Sequence, residues 1–120
     1  MSPYGPALGR VTADQAATLT RPDGDAVLLD VREQHEWDAG HAPHAIHLPM
    51  RALNSGTVLP TDAQRQPLVI ICRSGSRSRH ATALLSSLGI DAVDVIDGMR
   101  AWAAAGLPVI DAHGKNGSIA

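Results

Sequence analysis

Leu68-Val69-Ile70-Ile71-Cys72-Arg73-Ser74-Gly75-Ser76-Arg77 is the stretch on which the reading of this chain turns. Its first four residues are apolar at every position, the pattern of a strand covered on both faces in the middle of a parallel sheet. The chain's only cysteine, a glycine and two arginines then interrupt it. Beyond them Ala81, Leu84, Leu85 and Leu88 fall at i, i+3, i+4 and i+7, a helical stripe that Gly89 ends. Strand, short loop and helix in that order put Cys72 at the carboxyl end of a strand, where open α/β sheets bind their ligands.

The flanking sequence repeats the alternation. Arg10-Val11 starts a short edge strand, and Thr12 followed by Gln15 is a capping box that opens a helix with Ala16 and Leu19 on its apolar face. Pro22-Asp23-Gly24 is a turn, after which Ala26 to Leu29 reads as a strand ending at Asp30-Val31-Arg32. Glu33 to Asp38 suits a short helix, Ala45 to Leu48 a short strand, Met50 to Asn54 a helical turn, and Thr57 to Gln66 an irregular connection. Val93, Val95 and Ile96 make another strand, and Gly98 to Ala105 a last helix closed by Gly106 and Pro108. The expected fold is a single α/β domain over residues 1–120, a mostly parallel sheet of four or five strands with helices on both faces. Its core is expected over about residues 8–110, with 111–120 a frayed tail. In such a sheet the Asp30 to Arg32 segment and Cys72 end neighbouring strands and approach each other.

Composition narrows the function classes. The chain has 120 residues, 44% of them apolar, and no phenylalanine, so Ala, Leu, Val and Ile build the core. A net charge of −2 argues against a general nucleic-acid binder. One cysteine forms no internal disulfide, the N-terminus lacks the pattern of a signal peptide, and no apolar run approaches a membrane span. A reducing, cytoplasmic setting is expected.

The loop itself carries chemistry. Gly75 permits torsions that turn successive N–H groups toward one centre, a helix N-terminus stands behind them, and Arg73, Arg77 and Arg79 add positive charge. Each of these favours a thiolate at Cys72. Ser74, Ser76 and Ser78 can add hydroxyl donors. The cradle therefore suits an anion held against sulfur, with Arg77 pointing at it, Arg73 at the mouth or in solvent, and Arg79 in solvent. Asp30 and Arg32 either pair or accept loop N–H bonds to hold the pocket's shape; alternatively Arg32 adds to the anion field. His35, His41, His44 and His47 lack a supporting cysteine or carboxylate spacing and are read as turn and surface residues, His41 hydrogen-bonded, not as metal ligands. Trp37 and Trp102 are read as packing residues.

Three segments together resemble the rhodanese family of sulfurtransferases. The first runs Leu28-Leu29-Asp30-Val31-Arg32-Glu33, Glu36-Trp37, Gly40-His41-Ala42-Pro43 and Ala45-Ile46-His47-Leu48-Pro49; the second is the loop Cys72 to Arg77. The third is Gly98-Met99-Arg100-Ala101-Trp102 followed by Gly106-Leu107-Pro108-Val109. The resemblance implies a single-domain sulfurtransferase without metal or organic cofactor. Cys72 would take a sulfane sulfur as a persulfide from a small anionic donor of the thiosulfate kind. It would pass the sulfur to a small thiol, cyanide or a protein acceptor. Two other readings stay open. A carrier or sensor module would use the same persulfide site. A phosphatase or arsenate reductase of related fold would carry five residues between its cysteine and arginine, whereas four, Arg73 to Ser76, intervene here.

Overall fold

A computed structural model describes residues 9–56, 59–64 and 67–120. In chain order the elements are β1 (Arg10–Val11), α1 (Ala13–Leu19), β2 (Val27–Asp30), α2 (Gln34–Ala39), β3 (Ile46–His47) and α3 (Met50–Asn54). After a 3-10 turn over Thr61–Gln64 come β4 (Leu68–Ile71), α4 (Ser76–Ser87), β5 (Ala92–Val95) and α5 (Gly98–Ala104). Residue 8, where the core was expected to begin, and residues 57, 58, 65 and 66 of the irregular connection lie outside the described residues.

All five strands are parallel, in the order β1-β5-β4-β2-β3. The uninterrupted apolar run explains why β4 is central. Leu68, Val69, Ile70 and Ile71 are all fully buried, and only a strand covered on both faces gives each of them an apolar neighbour. Val69 and Ile71 join Leu28, Val93, Met99 and Trp102 on the face covered by α1 and α5. Leu68 and Ile70 join Leu29, Met50, Leu53, Ala81 and Leu85 on the face covered by α3 and α4. The helical stripe read from the sequence is thus split in outcome: Ala81 and Leu85 are buried, and Leu88 at its end is exposed. The first helix opens as its residues dictate, with Thr12 Oγ1 accepting from the Gln15 N–H and Gln15 Oε1 accepting from the Thr12 N–H.

The end of the chain departs from the expected frayed tail. Ile110 exchanges both backbone hydrogen bonds with His41, Gly117 N–H donates to Val109, and Ser118 N–H donates to Ala39. The return is tight at two glycines: a Cβ on Gly40 would strike the backbone of Ser118, and one on Gly117 would lie 2.8 Å from the Ala39 carbonyl oxygen. Ile119 packs against the α1 and α5 core cluster. A polar composition suggested a loose end, but backbone pairing and one apolar anchor need little sequence signal. The segment closes over the α2 end of the sheet, beside the loop after β4.

Candidate active site

Cys72 follows β4 directly, and α4 begins four residues later at Ser76. The turn between them depends on Gly75, whose φ of 104° lies in the left-handed region that a side chain resists. That turn aims the Gly75 N–H at the Cys72 sulfur, 3.0 Å away. The other side of the loop is fixed by α5. Its Met99 N–H donates to the Cys72 carbonyl at 2.7 Å and its Arg100 N–H to the Arg73 carbonyl at 3.1 Å. Gly98 makes this approach possible, because a Cβ there would collide with the Cys72 carbonyl. The sequence segment Gly98-Met99-Arg100 therefore acts on the site through backbone, holding the loop. The Cys72 thiol is free and fully buried.

Beneath the sulfur runs a chain of polar groups. Ser78, one turn into α4, places Oγ 3.4 Å from Cys72 Sγ, 3.2 Å from the Gly75 carbonyl and 3.2 Å from Asp94 Oδ2. Asp94 takes two hydrogen bonds from Arg10, each 3.1 Å. Sheet register brings these together, since Arg10, Asp94 and Ile70 are laterally paired, and Ile70 faces α4. Hydrogen bonding to Asp94 raises the Arg10 pKa against the opposing effect of burial, and charge on Cys72 adds in the same direction. Sequence reading gave Ser78 only as a possible donor and missed Asp94 and Arg10 altogether. The available signal was a carboxylate inside the apolar run Val93-Asp94-Val95, which needs a partner when buried.

The mouth of the site adds a partner that the sequence did not show. Arg77, expected to face a bound anion, forms a two-pronged ion pair with Glu36 of α2, at 2.6 and 2.8 Å. The Glu36 carboxyl is lowered to about 2, chiefly by hydrogen bonding from Arg77, against the effect of burial and with help from the Glu33 N–H. The Arg77 pKa is raised in turn, first by Glu36 and in smaller part by charge on Cys72. Glu36 entered the sequence reading only as part of a motif, and pairing across 41 positions leaves no local trace. Arg73 is exposed, and its Nε donates to the Ala120 carbonyl at 2.8 Å. Ser74 and Ser76 are exposed, as is Arg79.

Asp30 and Arg32 take the pairing alternative. Both are fully buried; the Arg32 guanidinium grips both carboxylate oxygens of Asp30, with a shortest distance of 2.7 Å. It also donates to the Gly40 carbonyl at 2.7 Å and the Glu36 carbonyl at 3.4 Å, which ties the end of β2 to the end of α2. His41 and His47 both stack on the Trp37 ring system, with centroids 3.6 and 4.8 Å away. Each also bonds a backbone carbonyl, of Trp37 and Arg32 respectively. These histidines brace the α2 side of the site. An apolar cavity of about 260 Å³ is lined by Leu28, Ala42, Trp102 and Leu107 and contains none of these groups. An open depression beside the loop is lined by Ser74, Asp97 and Arg100.

Comparison with known proteins agrees with this geometry. The rhodanese-like domain family matches residues 12–105. The adenylyltransferase and sulfurtransferase UBA4 of Yarrowia lipolytica is 35% identical over 77 residues, covering 64% of this chain and 19% of that protein. The probable adenylyltransferase/sulfurtransferase MoeZ of Mycobacterium tuberculosis is 39% identical over 77 residues, 63% of this chain and 20% of that protein. The chain thus spans about a fifth of the length of these curated relatives. A rhodanese-related protein from Thermoplasma volcanium superposes with a TM-score of 0.70 at 31% identity, covering 84% of this chain and 96% of that one.

Proposed function

We propose that this chain, which belongs to the rhodanese-like domain family, transfers sulfane sulfur through a persulfide on Cys72. The observation that carries the reading is the sulfur at the end of the central strand, with the Gly75 N–H at 3.0 Å and the Ser78 hydroxyl at 3.4 Å. These donors suit a sulfur that becomes anionic in a buried place, where an unpaired charge is costly. The Cys72 thiolate attacks the outer sulfur of a thiosulfate-like donor. A new S–S bond forms, the donor's own S–S bond breaks, and sulfite leaves with the bonding pair. Cyanide or a thiolate then attacks the outer sulfur of the persulfide, and Cys72 recovers its thiolate. The protein supplies position and charge, and no oxidant or metal takes part.

Arg73, Ser74, Gly75, Ser76 and Arg77 form the donor-binding rim in this reading, with Asp30 and Arg32 as its support. Arg73 is exposed at the mouth, and Arg77 has a third of its side chain exposed. An anionic donor draws on Arg77 by competing with Glu36. A reducing compartment such as the cytoplasm suits a lone thiol that must return to its free form. The sulfurtransferase wording in the names of the relatives supports the same chemistry. Full burial of Cys72 favours a second reading, a guarded persulfide handed to a protein acceptor.

Initial rates with thiosulfate and cyanide test the proposal. Two half-reactions through a covalent intermediate give parallel double-reciprocal lines, and Cys72→Ala gives no turnover. Intersecting lines, or turnover that survives Cys72→Ala, would overturn it. Stable loading with slow release to small acceptors and fast release to a protein thiol would identify the carrier.

A further inference from the structure

We propose that Asp94, clamped by Arg10, is a positioning residue that sets the direction of the Ser78 hydroxyl and thereby the reactivity of Cys72. The inference rests on Cys72 being the sulfur carrier. Ser78 has one hydroxyl proton and three acceptors in reach: Cys72 Sγ at 3.4 Å, Asp94 Oδ2 at 3.2 Å and the Gly75 carbonyl at 3.2 Å. While Cys72 is a thiol its S–H donates to Ser78 Oγ, and the Ser78 O–H is left for Asp94 or Gly75. Loss of the thiol proton to solvent, or attachment of a second sulfur, turns Sγ into an acceptor. The Ser78 O–H must then swing to sulfur, and Asp94 Oδ2 gives it up.

Arg10 makes that release tolerable. Ser78 and Asp94 are both buried, so a carboxylate that lost its hydroxyl partner there would need another donor. Arg10 provides two N–H bonds to Asp94, one to each oxygen, and keeps 38% of its side chain in contact with solvent. Its Nη2 lies 3.1 Å from where a Cβ on Gly75 would stand, directly against the loop that holds the sulfur. The other charges around the thiol come from Arg77 on α4 with its partner Glu36 on α2, and from Asp97 ahead of α5, while Asp30 and Arg32 after β2 pair with each other. None of these touches Ser78 among the described hydrogen bonds. Asp94 alone does.

The test is the pH profile of Cys72 alkylation by iodoacetamide, which needs no sulfur donor. A failed relay therefore leaves the sulfur-transfer proposal standing, and a failed transfer assay leaves the profile readable. Asp94→Asn removes a negative charge and frees the Ser78 hydroxyl for sulfur, so the midpoint moves down by about half a pH unit, a roughly threefold gain in thiolate at fixed pH below it. Arg10→Gln leaves Asp94 dependent on Ser78, so the midpoint moves up by a similar amount. Shifts of opposite sign are the expected result. Shifts of the same sign, or none, overturn the proposal. If Asp94→Asn does not fold, Arg10→Gln decides together with its repeat in a Ser78→Ala background: an upward shift that needs Ser78 supports the relay and any other result rejects it. In a Ser78→Ala background the Arg10→Gln shift falls by half or more, and an undiminished shift means that the charge acts without the hydroxyl and the relay is wrong.

Discussion

Among the arginine–carboxylate pairs around the site, Asp30–Arg32 and Glu36–Arg77 differ in what surrounds them. Asp30 and Arg32 are fully buried two residues apart, and Arg32 spends its remaining donors on the Gly40 and Glu36 carbonyls. Arg77 and Glu36 come from separate helices, and Arg77 keeps a third of its side chain in solvent. The first pair has no alternative partner and holds β2 against α2 as scaffold. The second stands at the mouth, where in the proposed reaction a donor anion takes the place of Glu36. On that proposal identical chemistry performs two tasks, and exposure decides which.

The contrast is most sharply broken at Arg32. Arg32→Ala leaves a fully buried Asp30 carboxylate without its partner, which costs about 3–5 kcal/mol by analogy with other broken buried pairs. A urea melt checks it; a loss below 1 kcal/mol would place the pair with the exchangeable kind.

The mouth pair predicts effects on catalysis instead. Arg77→Ala lowers kcat/KM for thiosulfate about tenfold, equivalent to about 1.4 kcal/mol of lost attraction. Glu36→Gln raises it, because Arg77 keeps its charge and loses its anionic competitor. Steady-state rates at low ionic strength compare the two, and equal losses in both variants would mean that the pair only holds the loop.

Acid separates the pairs more gently. The Glu36 carboxyl titrates lower in the folded chain than its ordinary 4.5, at about 2, so its contribution to stability is complete above about 4.5 and lost as pH falls toward 2. Stability measured across that window slopes downward with acid in the parent and less steeply in Glu36→Gln; identical slopes would remove the pair as the cause.

The smallest effect is expected at the tail, which leans on the α2 side of the same mouth. Gly117→Ala sets a Cβ 2.8 Å from the Ala39 carbonyl oxygen and loosens the return, at a cost of about 1 kcal/mol or less. Amide hydrogen exchange at Ser118 reports it, and unchanged protection would contradict the close packing.

These comparisons also show what the sequence discloses. Local patterns disclosed the alternation of strands and helices: the all-apolar run of β4, the Thr12 and Gln15 capping box, and the stripe through Ala81 and Leu85 each act within a dozen residues. The place of the proposed nucleophile was legible for the same reason, as one cysteine between a strand and a glycine turn. What escaped were partners set by register and by long-range packing. Glu36 reaches Arg77 across 41 positions and Asp94 reaches Arg10 across 84, so neither pair leaves a spacing to read. The tail escaped because its order rests on backbone hydrogen bonds and one apolar anchor, Ile119, which leave little pattern in a polar sequence.

The most direct measurement is the intact mass of the protein after exposure to thiosulfate. The account predicts a gain of one sulfur atom that a reducing thiol removes and that Cys72→Ala never acquires. A parent protein that gains no sulfur from any sulfane donor, or a Cys72→Ala variant that gains it equally, would contradict the assignment of Cys72 as the carrier.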